Sequence, residues 1–185
     1  MSKKQTYEVV QTTPLAVPHS SLQIVADHLR SEAASRFRTP DGDYFGRSAF
    51  NRYYYATFLE IKVVLGRLRK EWDGNVAHAD IPTLLRVRIV DDLKKGKSKA
   101  AKASDGHAIS LCSQGIAAAR HLAEMMETCR AIRVVADYNP EIPVKFTQAD
   151  NFTLSSTPVN EAGRWPNRAR ACLSSIEDAW RQVNE

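Results

Sequence analysis

The chain has 185 residues, of which 43% are hydrophobic and 25% are charged, and its formal net charge is +5. This length and composition are typical of one globular domain with a sizeable core. No apolar run approaches the roughly 20 residues of a membrane span, and the N-terminus has no continuous apolar stretch of the secretory type. We therefore expect a cytoplasmic protein without membrane association, whose mild cationic excess permits an anionic partner.

Residues 1–19 are polar and contain two prolines, which predicts an N-terminal arm. A single helical domain is predicted for residues 20–185. Its first helix begins with Ser20 or Ser21 as the N-cap and ends before Pro40. Its predicted apolar side consists of Leu22, Val25, Leu29 and Ala33. The tract PDGDYFG that follows is dense in turn formers and predicts a turn.

The stretch from Ser48 to Leu68 predicts the first of two long helices. Its apolar residues recur at steps of four and three, which is one face of a helix; they are Phe50, Tyr54, Thr57, Ile61, Val64 and Leu68. Arg52 lies among three tyrosines in this segment. Because an unpaired buried charge costs several kcal/mol, we expect Arg52 to need an acceptor.

A third, short helix is predicted from Asp80 to Leu93, with Pro82 in its first turn. The lysine-rich segment at residues 94–106 then has two interpretations. One is a solvated, mobile connector. The other is a flexible basic hook for a phosphate backbone, formed by Lys94, Lys95, Lys97, Lys99 and Lys102.

The second long helix is predicted from His107 to Tyr138. Its apolar residues form an unbroken stripe at steps of four and three, namely Leu111, Gly115, Ala118, Leu122, Met125, Cys129, Ile132 and Ala136. Ala119 and Met126 form a parallel row, and the next member of that row is Arg133. Arg133 therefore stands where the pattern requires an apolar residue. We expect this helix to lie antiparallel to the first long helix.

Residues 139–163 form a long connector, which is typically functional or draped over the core. We find no β-hairpin signal in it. A last helix follows, with an apolar side of Ala169, Cys172 or Leu173, Ile176, and Ala179 or Trp180. The predicted fold is all-α: an up-down bundle of four to five helices with two long antiparallel helices.

Known catalytic motifs are missing from the sequence. No Cys or His pair has zinc-ligand spacing, and there is no phosphate-binding loop or dinucleotide glycine motif, so we predict neither a metal nor a cofactor. The cysteines, Cys112, Cys129 and Cys172, are expected to be reduced, buried thiols. His78, in the loop after the aromatic helix, is a candidate catalytic group, and the alternative is an ordinary surface histidine.

Antiparallel packing of the two long helices would bring two groups of side chains together: Arg52 with Tyr53, Tyr54 and Tyr55 from the first helix, and Arg133, Asp137 and Tyr138 from the second. Two guanidiniums there could bind a phosphate, while the tyrosines offer hydroxyls or stacking faces. The structural alternative is that Asp137 neutralises Arg52 and that the tyrosines belong to the core.

Three segments resemble proteins of the HEPN superfamily, the higher eukaryote and prokaryote nucleotide-binding class. SAFNRYYYATFLEIKVVL contains S-x-x-x-R-x-Y-Y-A-x-F, RVVADYNPE contains R-x-x-A-D-Y, and VNEAGRWPNRARACLSSI is similar in placement to the closing helix. The resemblance is to the subgroup near the HEPN toxins. It implies an all-α bundle that often dimerises, and many members are metal-independent ribonucleases of toxin–antitoxin, CRISPR-associated and phage-defence systems. The implied partners are RNA or a nucleotide, a cognate antitoxin or defence-system protein, and a second copy of the chain.

The ribonuclease members carry an arginine followed, after four to six residues, by a histidine. The arginine stabilises developing charge on the phosphate, and the histidine moves a proton so that the 2′-hydroxyl can attack. Here Tyr138 takes the histidine's place after Arg133. A tyrosine hydroxyl ionises too far above neutral pH to be a good general base. The candidate catalytic residues are therefore Arg133, Tyr138, Arg52 and His78.

Three hypotheses follow from these residues. The first is an RNA- or nucleotide-binding protein with weak or absent cleavage, which binds through Arg52, Arg133, Tyr54 and the lysines 94, 95, 97 and 99. The second is an active ribonuclease whose acid–base group comes from elsewhere, with His78 or a residue of a dimer partner as candidates. The third is a non-catalytic helical subunit that docks a partner protein.

Overall fold

The computed structural model describes residues 20–74, 76–148 and 150–184, so the predicted arm at residues 1–19 lies outside the described residues. The described chain is mostly helical, as predicted, but a small antiparallel sheet means that it is not purely all-α. Its α-helices are α1 (Ser20–Ser35), α2 (Pro40–Leu68), α3 (Ile81–Thr83), α4 (Val90–Lys102), α5 (Gly106–Tyr138), α6 (Val159–Ala162) and α7 (Trp165–Asn184). A short 3-10 turn spans Lys70–Trp72.

The aromatic helix begins at Pro40 rather than at Ser48, and the tract predicted to be a turn forms its first turns. Pro40 suits the first helical position because its missing N–H would have no partner there. Two carboxylates in the first turn also interact favourably with the helix dipole. Gly42 lets α2 start close to the end of α1, since a Cβ at this position would lie 2.5 Å from the carbonyl oxygen of Arg36.

The two long helices, α2 and α5, contact each other in opposite directions. Arg47, near the start of α2, donates to the carbonyl of Val135 at 3.1 Å, and Tyr55, further along α2, accepts from Arg133. Residues later in α2 therefore contact residues earlier in α5. This antiparallel contact places the start of α2 beside the end of α5.

The predicted stripe on α5 faces the core, with Leu111 and Ala118 only partly buried. Gly115 allows a close approach of α7, because a Cβ there would lie 2.6 Å from the Cβ of Ala179. α7 contributes the buried side chains Ala169, Leu173, Ile176, Ala179 and Trp180. All three cysteines are free thiols, but Cys172 is only partly buried, contrary to the prediction.

The buried face of α1 differs from the predicted one by one position. Val25 is exposed, whereas Ala26 and Ala33 are fully buried against α2. Leu22 and Leu29 are half-buried. The small side chain of Ala26 lets α1 lie close to α2. The hydrophobic pattern did not predict that Ala26 would be buried in place of Val25.

The lysine-rich segment is neither a mobile connector nor a flexible hook, because it is helical through Lys102. One continuous helical path runs through α3, a π-helical stretch at Leu84–Ile89 and α4. α4 ends with Ser104 at φ 57, while the N–H of Asp105 donates to the carbonyl of Ala100 at 2.9 Å. This is a Schellman ending, in which glycine is the usual residue.

The connector after α5 contains strands, contrary to the prediction of no hairpin. β1 (Lys145–Gln148), β2 (Asn151–Leu154) and β3 (Thr157–Pro158) form a sheet in that order. Phe152 is fully buried, and its ring centroid lies 6.0 Å from that of Phe50 on α2. The sheet therefore covers the first half of α2.

Candidate anion-binding site

The buried arginine of α2 is Arg47, not Arg52. Its Nε donates to Asp43 at 2.7 Å, and only 10% of its side chain is exposed. Its terminal nitrogens donate to the backbone carbonyls of Val135, Ala136, Asn139, Pro140 and Ile142. These carbonyls lie at and beyond the C-terminal end of α5, where backbone groups lack helical partners and carry partial negative charge. Arg47 therefore has a structural role as a C-terminal cap.

Arg52 is exposed, so the expectation that it needs a buried acceptor was wrong. It lines a cavity of about 240 Å³ together with Asn51 and Asp137. Asp137 does not neutralise it. The Asp137 carboxylate instead accepts a hydrogen bond from Asn51 and lies 2.8 Å from Nε of Arg133. That Nε is buried and makes no aligned hydrogen bond, so the contact with Arg133 is an ion pair only.

The guanidinium of Arg133 lies between two tyrosines. Its central carbon is 5.8 Å from the ring centroid of Tyr55 and 5.3 Å from that of Tyr138, and Nη2 donates to the Tyr55 hydroxyl at 3.2 Å. Burial opposes the charge, but the Tyr55 hydrogen bond and the negative charge of Asp137 outweigh burial and raise the pKa of Arg133. About 23% of the side chain is exposed, so a permanent cation is accessible to a ligand here.

The fold brings His78 to the same tyrosines. Nδ1 of His78 lies 2.6 Å from the Tyr54 hydroxyl, and its ring stacks on Phe58 with centroids 3.6 Å apart. The ring also meets Tyr55 edge-on at 5.6 Å. Tyr55 therefore contacts both His78 and Arg133. We call the set the Arg133 cluster; its members are Arg133, His78, Tyr54, Tyr55 and Tyr138.

The surroundings of His78 favour its neutral form. Burial lowers the pKa of His78, and the positive charges of Arg133, Lys62 and Arg130 lower it further. Protonating His78 therefore requires a lower pH than protonating an ordinary histidine. At pH 7 the imidazole can act as one donor and one acceptor.

The hydrogen bond to Tyr54 indicates which nitrogen of His78 carries the proton. Burial raises the pKa of Tyr54 to about 12, so its hydroxyl keeps its proton. Among the described residues this hydroxyl has no hydrogen-bond partner other than Nδ1 of His78. A hydroxyl that donates to Nδ1 leaves the ring proton on Nε2. Nε2 is then a donor, which suits an anion.

The predicted lysines lie far from this cluster. The charge of Lys97 acts on the thiol of Cys112 near the start of α5, whereas Lys94, Lys95 and Lys99 are exposed on α4. Arg133 follows Cys112 by almost six helical turns, which is about 30 Å along α5. The predicted site residues thus form two groups: the Arg133 cluster with Arg52 beside it, and the lysines of α4.

Sequence reasoning grouped Tyr55 with its neighbouring tyrosines but missed two residues at this site, Phe58 and Lys62. Tyr55 joins His78 to Arg133, and Phe58 supplies the surface on which His78 stacks. Lys62 places its ammonium 5.6 Å from the Phe58 ring centroid and donates to the carbonyl of Gly74. Phe58 and Lys62 follow Tyr54 on α2 by four and eight residues, and this helical spacing is the signal that could have identified them.

Among residues 20–74, 76–148 and 150–184, no three His, Cys, Asp or Glu side chains are grouped so that they could hold a metal ion. Within the same ranges, no helix has the length and apolar character needed to cross a membrane.

Comparison of the chain with protein-family models, with curated proteins and with solved structures finds no significant match. The function is therefore inferred from the chemistry of the cluster.

Proposed function

We propose that the chain binds RNA or a nucleotide through the Arg133 cluster, with ribonuclease activity that is weak or absent. The observation that carries this proposal is the position of Arg133, a partly exposed cation held between Tyr55 and Tyr138. The HEPN-like assignment, the cytoplasmic defence or toxin–antitoxin setting and the homodimer are part of the proposal and rest on the family resemblance.

The cluster offers the two kinds of contact that a nucleotide needs. The guanidinium of Arg133 and the N–H at Nε2 of His78 are donors for phosphate oxygens. The ring of Tyr138 is 66% exposed and can stack on a base, a contact worth about 1–3 kcal/mol in single-stranded nucleic acid binding. Arg52, exposed at the neighbouring cavity, adds a second cation.

Weak cleavage follows from the proton positions. Attack by a 2′-hydroxyl needs a base with a free lone pair. When the Tyr54 hydroxyl donates to Nδ1 of His78, 2.6 Å away, that lone pair is occupied and the ring proton is on Nε2. The cluster is therefore better suited to hold a phosphate than to activate a hydroxyl beside it.

A second candidate, a metal-independent ribonuclease, is favoured by one observation: His78 and Arg133 both contact Tyr55. The fold thus brings together the two residue types that the resembling ribonucleases carry on one helix. Cleavage would require the other tautomer of His78, with the proton on Nδ1 donated to Tyr54. RNA incubated with the protein in EDTA tests this candidate, because a 2′,3′-cyclic phosphate product that disappears in His78→Asn would establish it.

The binding proposal is tested with a fluorescently labelled single-stranded RNA and the variant Arg133→Gln. We expect affinity to fall at least tenfold, since a hydrogen bond to a charged group contributes roughly 1.5–3 kcal/mol. Arg67→Gln is the matched control, because Arg67 also forms one ion pair on the protein, with Glu177 at 3.2 Å. Equal affinities for wild type and both variants would contradict the proposal. Circular dichroism and melting curves show whether each variant remains folded.

A further inference from the structure

The positive charge of the chain is concentrated in one helical segment. From Arg86 to Lys102 there are seven Lys or Arg and two Asp, a net charge of +5. The whole chain also has a net charge of +5. The remainder holds 19 of the 26 cationic residues and 19 of the 21 anionic residues, so it is formally neutral.

These cations lie on the exposed side of one rigid element. α4 buries Val90, Leu93, Gly96 and Ala100 against the core. Its opposite side carries lysines at steps of four and three, which places them in a row along the helix. The row consists of Lys95, Lys99 and Lys102, and two further exposed cations lie beside it: Lys94 on α4 and Arg88 in the π-helical stretch just before α4. We call these five residues the α4 ridge.

Contacts within the protein do not account for the ridge. Lys94 and Lys95 reach Asp91 and Asp92 at 3.7 Å and 3.4 Å, in exposed pairs that contribute little to stability. Asp92 already has a shorter contact of 2.6 Å with Arg69.

Lys99 and Lys102 form no ion pair within the described residues. Both interact favourably with the C-terminal end of the helix dipole. However, like charges three and four residues apart repel each other, which applies to Lys95 with Lys99 and to Lys99 with Lys102. A bound polyanion would remove that repulsion.

The chemistry of the ridge favours a phosphate backbone over a lipid surface. Helices that lie in a membrane interface need large apolar residues beside their cations. From Arg88 to Lys102, no exposed position holds a large apolar side chain, and the nearest one is Val87, which is 45% exposed beside Arg88. Closely spaced cations with a single valine at one end match the closely spaced charges of a nucleic acid strand better than they match a lipid surface.

We infer that the α4 ridge is a second contact surface for the backbone of the RNA bound at the Arg133 cluster. The inference rests on the proposed function and specifies its ligand: a strand long enough to reach both surfaces, not a mononucleotide. The ridge starts close to the cluster and extends away from it. Arg86, two residues before Arg88, pairs with Glu127, which lies about 9 Å from Arg133 along α5, whereas the level of Cys112, near Lys97, is about 30 Å from Arg133.

The test compares short and long single-stranded RNAs of one repeating sequence, about 4 and about 20 nucleotides, over a range of salt concentrations. The ridge variant carries four substitutions: Arg88→Gln, Lys95→Gln, Lys99→Gln and Lys102→Gln. The control removes the same charge from exposed cations elsewhere: Arg38→Gln, Arg120→Gln, Lys145→Gln and Arg164→Gln. Both variants are checked for wild-type helicity before binding is measured.

The ridge variant should bind the long strand at least tenfold more weakly, with a shallower salt dependence, and should bind the short strand like wild type. For a single strand, the slope of log K against log salt becomes shallower by about 0.7 for each phosphate that the variant no longer neutralises. The control variant should retain most of the affinity for the long strand.

Three results would overturn the inference, and each can be distinguished from failure of the proposed function. One is equal weakening by the ridge and control variants, which would show a general charge effect. Another is an unchanged affinity of the ridge variant for the long strand. The third is wild-type RNA binding by the ridge variant together with a loss of its retention on anionic vesicles, which would assign the ridge to a membrane surface. If the proposed function itself fails, Arg133→Gln will bind both strands like wild type.

Discussion

The hydroxyl of Tyr54 lies 2.6 Å from Nδ1 of His78, and both rings lie edge-on to Tyr55. This hydrogen bond joins a fully buried residue of α2 to a loop histidine. It also sets which nitrogen of the imidazole carries the proton. The binding chemistry of the cluster therefore depends on a buried hydroxyl that the ligand need not touch.

Tyr54→Phe should alter His78 without removing any charged group. With the hydroxyl gone, Nδ1 loses its donor, so the population of the tautomer with the proton on Nε2 should fall. We expect a several-fold loss of RNA affinity, equivalent to about 1 kcal/mol. Nitrogen-15 NMR of the histidine rings measures the tautomer directly. Tyr44→Phe, an exposed tyrosine of the same helix, is the control, and an unchanged tautomer in Tyr54→Phe would refute the assignment.

Arg133→Gln should raise the pKa of His78. Burial is the main cause of the lowered pKa, and the charge of Arg133 is the next. Removing a positive charge makes the protonated ring less unfavourable, so the pKa moves up toward 6.5 but stays below it because burial remains. An NMR titration of the ring protons of His78 measures the shift. Arg67→Gln is the control and should leave the titration of His78 unchanged. A lower pKa of His78 in Arg133→Gln would show that the charge of Arg133 does not lower the pKa of His78 in the wild type.

Arg47→Met should destabilise the fold strongly. The substitution leaves Asp43 without its cationic partner and removes a donor from several carbonyls at the end of α5, in a position that is largely closed to water. Removing one partner of a buried charged contact costs about 3–5 kcal/mol. Arg67→Met, at an exposed ion pair, should cost less than about 1 kcal/mol. Urea unfolding compares the two, and similar midpoints would show that Arg47 does not act as a cap.

Replacing Ser155 with Asn and Ser156 with Gly should stabilise the sheet. Both serines have positive φ, 47° and 69°, in the two-residue turn between β2 and β3. Asn-Gly is the preferred pair for such a turn, and each left-handed non-glycine residue costs about 1–2 kcal/mol. Thermal unfolding should show a higher Tm for the double variant. Ser98→Gly is the control: it lies within α4, where glycine is unfavourable, and should lower the Tm. If the Ser155→Asn, Ser156→Gly variant also had a lower Tm than the wild type, the turn would not be strained.

The helices were largely predictable because burial imposes a periodic pattern. The stripe on α5 and the apolar side of α7 were correct in position. The start of α2 was missed because the tract PDGDYFG has the local composition of a turn, although Pro40 and two first-turn carboxylates are also helix-start signals. Arg47 was missed for the same reason, since the helix was expected to begin one residue after it.

The turns were not predictable because serine occupies positions where glycine or asparagine is expected. Ser155 and Ser156 form the hairpin turn, and Ser104 ends α4, all with positive φ. None of them carries the usual sequence signal for that backbone conformation. The hairpin that contains Ser155 and Ser156 packs against α2 through the buried Phe152. Such packing is invisible in a single sequence.

The candidate site was predicted only in part. Arg133 was identified because it breaks an apolar row, and Tyr138 because it lies at the end of the same helix. The proximity of His78 to Arg133 depends on a loop that folds back over Phe58. No spacing within one helix could have shown that relationship.

RNA binding at the Arg133 cluster is tested most directly by a histidine-ring NMR spectrum recorded while a short single-stranded RNA is added. His78→Asn identifies the resonances of His78. We expect these resonances to move with the ligand concentration while those of His107, near the start of α5, stay in place. A spectrum in which His78 does not move at saturating RNA would contradict binding at the Arg133 cluster.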